Sequence, residues 1–165
     1  MSLVKFESML KTNSVYFFDL TEFEEIIIHY IDIGKHSLAK KALNLGLEQH
    51  PDSVDLKLLQ IEIYVFENKL DLAKELLLQI EILEPNNDEV FIQKATILSK
   101  EGKHKEAILY LNKALTLTDD KEDIWSLLGM EYLYLDDYEN ALLCFINCVF
   151  VAVSYTHLRA HETKC

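Results

Sequence analysis

The stretch WSLLGMEYLYLDDYENALLCF, Trp125–Phe145, decides the fold. Its alanine, Ala141, has counterparts at Ala107, Ala73 and Ala39, each 34 residues before the next. A fixed period of about 20–50 residues marks an array of stacked units. Other columns hold the same register. Gly34, Asn68, Gly102 and Asp136 stand five residues before the alanines. These types tolerate a left-handed backbone, which the residue ending one helix and turning into the next requires. Large apolar residues follow each alanine by four, at Leu43, Leu77, Leu111 and Phe145. Tyr30, Tyr64, Leu98 and Tyr132 precede it by nine, and Phe23, Lys57, Phe91 and Trp125 by sixteen. Pro51 and Pro85 stand twelve after the first two alanines, where they stop a helix. Asp119 and Val153 hold that place in the last two units.

Each unit is expected to be two antiparallel helices joined by a tight turn. The alanine lies near the start of the second helix, where the pair crosses closely and a larger side chain clashes. The aromatic and leucine columns fill the space between the helices and the space to the next unit. One unit cannot bury its apolar face alone, so neighbours stack.

These columns resemble the tetratricopeptide (TPR) pattern, W-x2-L-G-x2-Y, then A-x3-F-x2-A, then P. The last unit is nearest to it, with Trp125, Leu128, Gly129, Tyr132, Ala141 and Phe145. The departures are Ile27 and Ile61 at the small position, and Gln60 and Lys94 in place of the leucine. The resemblance implies an all-α fold, an α-solenoid of four TPR helix-turn-helix repeats at 20–53, 54–87, 88–121 and 122–153. A loose likeness to uncharacterised TPR proteins of Bacteroidetes adds a bacterial expectation.

Residues 1–19 precede the array. Leu3, Phe6 and Leu10 fall at helical spacing, which predicts a capping helix from about Ser2 to Lys11, broken at Asn13-Ser14. Tyr16, Phe17 and Phe18 are read as a cover for the open edge of the first repeat, with a docking patch as the other reading. Thr21 followed by Glu24 fits a capping box at the first repeat helix. At the other end the columns stop. Residues 153–165, VSYTHLRAHETKC, resemble a translated sequencing-adapter read-through, so 154–165 are read as a non-native tail of a longer natural chain.

Half of the residues are hydrophobic, enough for a core, while the four glycines and two prolines suit a helical chain with short turns. The formal net charge is −12 and the isoelectric point about 4.8. That argues against a nucleic-acid binder, which needs a basic face, and against anionic membrane surfaces. The RNA-binding pentatricopeptide family, which has a similar period, is disfavoured on the same ground. MSLVKFESMLK lacks the continuous apolar core of a secretory signal, so the cytoplasm is expected. Cys144, Cys148 and Cys165 form no disulfide framework.

No catalytic signature is present, and the chain is read as no enzyme, without cofactor or metal. The glycines are scattered, and neither HExxH nor GxSxG occurs. His157, His161 and Cys165 share one helical face that could hold zinc, but no fourth ligand accompanies them and they lie in the suspect tail. His29, His36, His50 and His104 are read as solvated side chains of helix surfaces and turns.

The resemblance supplies a candidate site. In TPR proteins the first helix of each repeat lines a concave groove through positions 2, 5, 9, 12 and 13. Carried over, the lining includes Glu24, Ile28 and Asp32, then Asp55, Leu58, Glu62 and Phe66. It continues with Glu89, Ile92 and Thr96, then Ser126, Met130 and Tyr134. The Lys/Asn set that holds a peptide's terminal carboxylates in chaperone-binding TPR domains is missing. Carboxylates mixed with apolar residues suit a protein or peptide partner that is basic and apolar. The alternative is a scaffold that associates with itself, a homo-oligomer through apolar ends.

Overall fold

The computed structural model describes the backbone of residues 2–12 and 14–162 and the side chains of 2–12 and 14–153. Asn13 lies outside the described residues. The described elements are all helical: α1 (Ser2–Thr12), α2 (Leu20–Asp32), α3 (His36–Gln49), α4 (Val54–Phe66), α5 (Leu70–Leu83), α6 (Asp88–Lys100), α7 (His104–Leu115), α8 (Glu122–Tyr134) and α9 (Tyr138–Glu162). The α-solenoid class expected from the columns is the class observed. The chain divides into two compact units, Met1–Leu76 and Leu77–Cys165.

The four turn residues take the backbone that their types suggest. Gly34 and Gly102 have φ of 71° and 75°, and Asn68 and Asp136 both have 57°. The amide after each donates five residues back: Lys35 to Tyr30 at 2.8 Å, Lys69 to Tyr64 at 2.8 Å, Lys103 to Leu98 at 2.9 Å and Asp137 to Tyr132 at 2.9 Å. These bonds satisfy carbonyls that a helix end otherwise leaves orphaned. A Cβ added at Gly102 meets nothing within 4 Å, so only the backbone resists a side chain there. Gly102→Ala is therefore expected to lose about 1 kcal/mol, and Asn68→Gly to gain a smaller amount, in urea unfolding.

Unit one is built on α1 to α4. Phe6 and Phe18 are fully buried and meet edge to face at 6.0 Å, and Phe6 also lies 6.1 Å from the Tyr30 ring. Phe18 is thus the member of the aromatic cluster that covers the first repeat. Phe17 stays exposed beside the His50 ring. The peptide groups of this segment are held by α3: Gln49 accepts from the Phe18 amide at 3.1 Å and donates to the Tyr16 carbonyl at 2.9 Å. The capping box falls two residues before the Thr21/Glu24 pair. Asp19 accepts from the Glu22 amide at 2.8 Å, and Glu22 accepts from the Asp19 amide at 3.1 Å. The helix starts at Leu20, so Thr21 is already inside it and Asp19 is the residue with an extended backbone.

Unit two pairs α6 with α7, α7 with α8 and α8 with α9. Its core holds Ala95, Ala107, Leu111, Ala114, Ile124, Leu128 and Cys144. All four repeat alanines are at most 1% exposed. The small position varies with its opposing column. A Cβ at Gly129 would stand 2.6 Å from the Phe145 ring, so glycine makes room for phenylalanine. In unit one Ile27 fills that position, fully buried in one core with Leu43. The larger of the two columns is set by the smaller. α7 ends at Leu115 without a proline, and α9 continues past Val153 to Glu162.

Candidate functional site

In unit one the candidate residues lie on α2 and α4. Asp32, Asp55 and Glu62 are exposed, Glu24 is half-buried, and Ile28 and Phe66 present open apolar surface. Leu58 is 7% exposed and packs with the core, so it offers little to a ligand. Burial raises the Glu24 carboxyl above the ordinary glutamate range, and the Asp55 charge raises it further. Asp55 is therefore near enough for the two carboxylates to repel. Phe66 is 61% exposed, and one face of its ring is stacked on His36 at 3.7 Å.

Unit two repeats the arrangement on α6 and α8. Glu89, Ile92, Thr96 and Ser126 are half-buried, and Met130 and Tyr134 are exposed. Burial is the main cause that lifts the Glu89 carboxyl. A hydrogen bond from Gln93 at 2.8 Å opposes the lift, while Asp88 and Asp123 add to it. The Thr96 hydroxyl donates to the Ile92 carbonyl at 2.9 Å, which leaves its oxygen free to accept. Thr96, Ser99, Lys100 and Glu131 line a small cleft of about 90 Å³ floored by Ala95, Leu111 and Leu127. Tyr134 is 60% exposed and stacked on His104 at 4.6 Å.

The histidines are more than solvated surface. His104 Nδ1 is 2.8 Å from a carboxylate oxygen of Glu131, which is only 5% exposed. His50 Nε2 is 2.9 Å from the Phe18 carbonyl, and its ring lies edge-on to Phe23. His36 and His104 stand two repeat lengths apart, as do their ring partners Phe66 and Tyr134. That double period was the available signal. A one-repeat comparison hides it, because Leu70 and Lys100 hold the same columns in between.

Among the described residues no group of three or more His, Cys, Asp or Glu could hold a metal ion. The side chains of His157 and His161, and all of Cys165, lie outside the described residues. No described helix is long and apolar enough to cross a membrane.

Residues 88–121 and 122–149 match the tetratricopeptide repeat family, so the chain carries tetratricopeptide repeats. Three solved structures show the same fold. One is TTC0263, a thermophilic TPR protein of Thermus thermophilus, with 21% identity over 98% of this chain and 87% of that one, and a TM-score of 0.74. A tetratricopeptide repeat protein from Parabacteroides merdae is 18% identical over 79% of this chain and 51% of its own, with a TM-score of 0.71. MamA of strain AMB-1 is 24% identical over 89% and 88%, with a TM-score of 0.58. Repeats of this class generally serve as protein-interaction scaffolds.

Proposed function

We propose that the chain is a non-catalytic adaptor of the cytoplasm that holds a basic, apolar protein segment on the first helices of its repeats. The observation that supports this most is the pairing of crowded carboxylates with open aromatic faces in each unit. Glu24 lies beside Asp55 of the first turn of α4, and Phe66 ends that helix; Glu89 lies beside Asp123 of the first turn of α8, and Tyr134 ends that one. Carboxyls that hold their protons above the usual range gain from a cation that stabilises the charged form. A lysine or arginine of the partner supplies it, and the exposed ring, eleven residues and so about 16 Å further along the same helix, takes an apolar side chain of the same segment.

The test is retention of partners from lysate by the wild-type chain and by a Glu24→Lys, Glu62→Lys, Glu89→Lys variant. The retained segment is then titrated against both. Affinity is expected to fall at least about tenfold in the variant. It is also expected to weaken as pH falls through the raised carboxyl range, because the protonated acids no longer attract the cation. Equal affinity for both chains at all pH values overturns the reading. A second reading, a scaffold that associates with itself, is favoured by one observation: the apolar side chains left uncovered along α9.

A further inference from the structure

We propose that α9 pairs two copies of this chain, helix against helix, along the seam Leu142, Ile146, Val149 and Val153. The inference rests on the self-association reading and specifies its surface. The four residues are spaced 4, 3 and 4 apart, the interval that keeps one apolar stripe facing a second helix. All four are exposed by half or more, and exposed Leu143 and Phe150 widen the stripe. Leu142, Phe145, Ile146, Val149, Phe150 and Val153 line an open apolar groove of about 470 Å³.

The preceding repeat shows how the head of such a face is covered. One repeat earlier, Ile108 and Leu111 hold the columns of Leu142 and Phe145. There they are buried in the core to which α8 contributes Ile124 and Leu128. An adjacent helix thus covers the head of this stripe in the preceding repeat, where Asn112 and Asp119, exposed and polar, hold the columns of Ile146 and Val153; α9 carries the apolar stripe further.

Charge and area point to a second copy as the occupant. Leu142–Val153 contains no Asp, Glu, Lys or Arg, so copies of net charge −12 can meet there without apposing like charges. A basic partner drawn to the acidic first helices finds nothing on this stripe that recognises its charge. The exposed side chains offer roughly 600 Å² per copy, at the top of the range for a monomer's largest apolar patch, so a pair hides roughly 1,200 Å², the lower bound for a stable complex.

The experiment is sedimentation equilibrium of the full chain over a dilution series. Three variants accompany it: Ile146→Glu and Val149→Glu on the seam, and Leu109→Glu on an exposed site of α7. All three side chains are more than half exposed, so none removes core packing, and circular dichroism verifies the helical content. The wild type and Leu109→Glu are expected to approach twice the chain mass of 19.2 kDa at high concentration and to fall to it on dilution. Both seam variants are expected to stay monomeric, or to dissociate at least tenfold more readily. A dimer that survives both seam substitutions keeps self-association and overturns this seam. A polydisperse aggregate overturns the commitment to two copies. A wild type that is monomeric throughout overturns both the seam and the self-association reading, and leaves the adaptor reading standing.

Discussion

Glu131→Ala is expected to cost about 2 kcal/mol of stability, read as a lower urea midpoint at neutral pH with unchanged slope. Glu131 is 5% exposed on α8, and a carboxylate oxygen faces His104 Nδ1 at 2.8 Å. Truncation leaves the imidazole without its acceptor in a site closed on one side by the Tyr134 ring. His104 is half-buried, so losing its acceptor exacts much of the desolvation penalty of an unpaired polar group. The repeat columns suggest the compensating change. Ile63 and Ile97, both 2% exposed, hold the column of Glu131 in the two preceding repeats, and Leu70 holds the column of His104. The double variant His104→Leu, Glu131→Ile replaces the pair by apolar residues already used at these columns. Its stability is expected to return to that of the wild type or exceed it, as such replacements commonly do. A Glu131→Ala chain as stable as the wild type refutes the pairing as a structural element.

Phe23→Ala is expected to lose about 4 kcal/mol, the largest single effect in unit one. Phe23 is fully buried between the rings of Phe18 at 5.3 Å and His50 at 5.9 Å. Its ring also occupies the space that a side chain on Gly46 would need, since a Cβ there would lie 3.2 Å away. The vacated volume therefore has no neighbouring side chain from α3 at that point to close it. Phe23→Leu keeps most of the apolar volume and is expected to lose less than half as much. Thermal unfolding of the pair measures the difference. Equal losses would mean that the ring's shape and its contacts with Phe18 and His50, rather than its apolar volume, carry the effect.

Residues held by a constraint that every repeat imposes are visible in one sequence. The alanines, the turn residues and the large residues four after each alanine recur because the same close crossing and the same left-handed turn recur. The small position was harder to read, because Ile27 and Gly129 satisfy one constraint in two ways, each with its own partner across the helix pair. Local hydrogen bonding was ambiguous by two residues: Asp19 with Glu22 and Thr21 with Glu24 both fit a capping box, and the backbone at residue 19 decides between them. The candidate site was legible as a helix face and not as a set of exposures. Leu58 shares that face and is buried, whereas Phe66 is open and stacked on a histidine from α3. Such stacks occur in alternate repeats, so a pattern averaged over every repeat removes them.

Gly129 and Phe145 sit on opposite sides of a turn, as do Ile27 and Leu43. Exchange of segments between repeats therefore has safe and unsafe joints. A crossover within the left-handed turn would set Ile27 against Phe145, or Gly129 against Leu43, giving a clash in one product and a void in the other. A crossover in the loop between repeats moves each matched pair intact. A cut there keeps the pairs within each repeat and disturbs only packing between repeats, such as Gly46 against Leu56, so the unit that moves with its own partners is the helix pair rather than the helix.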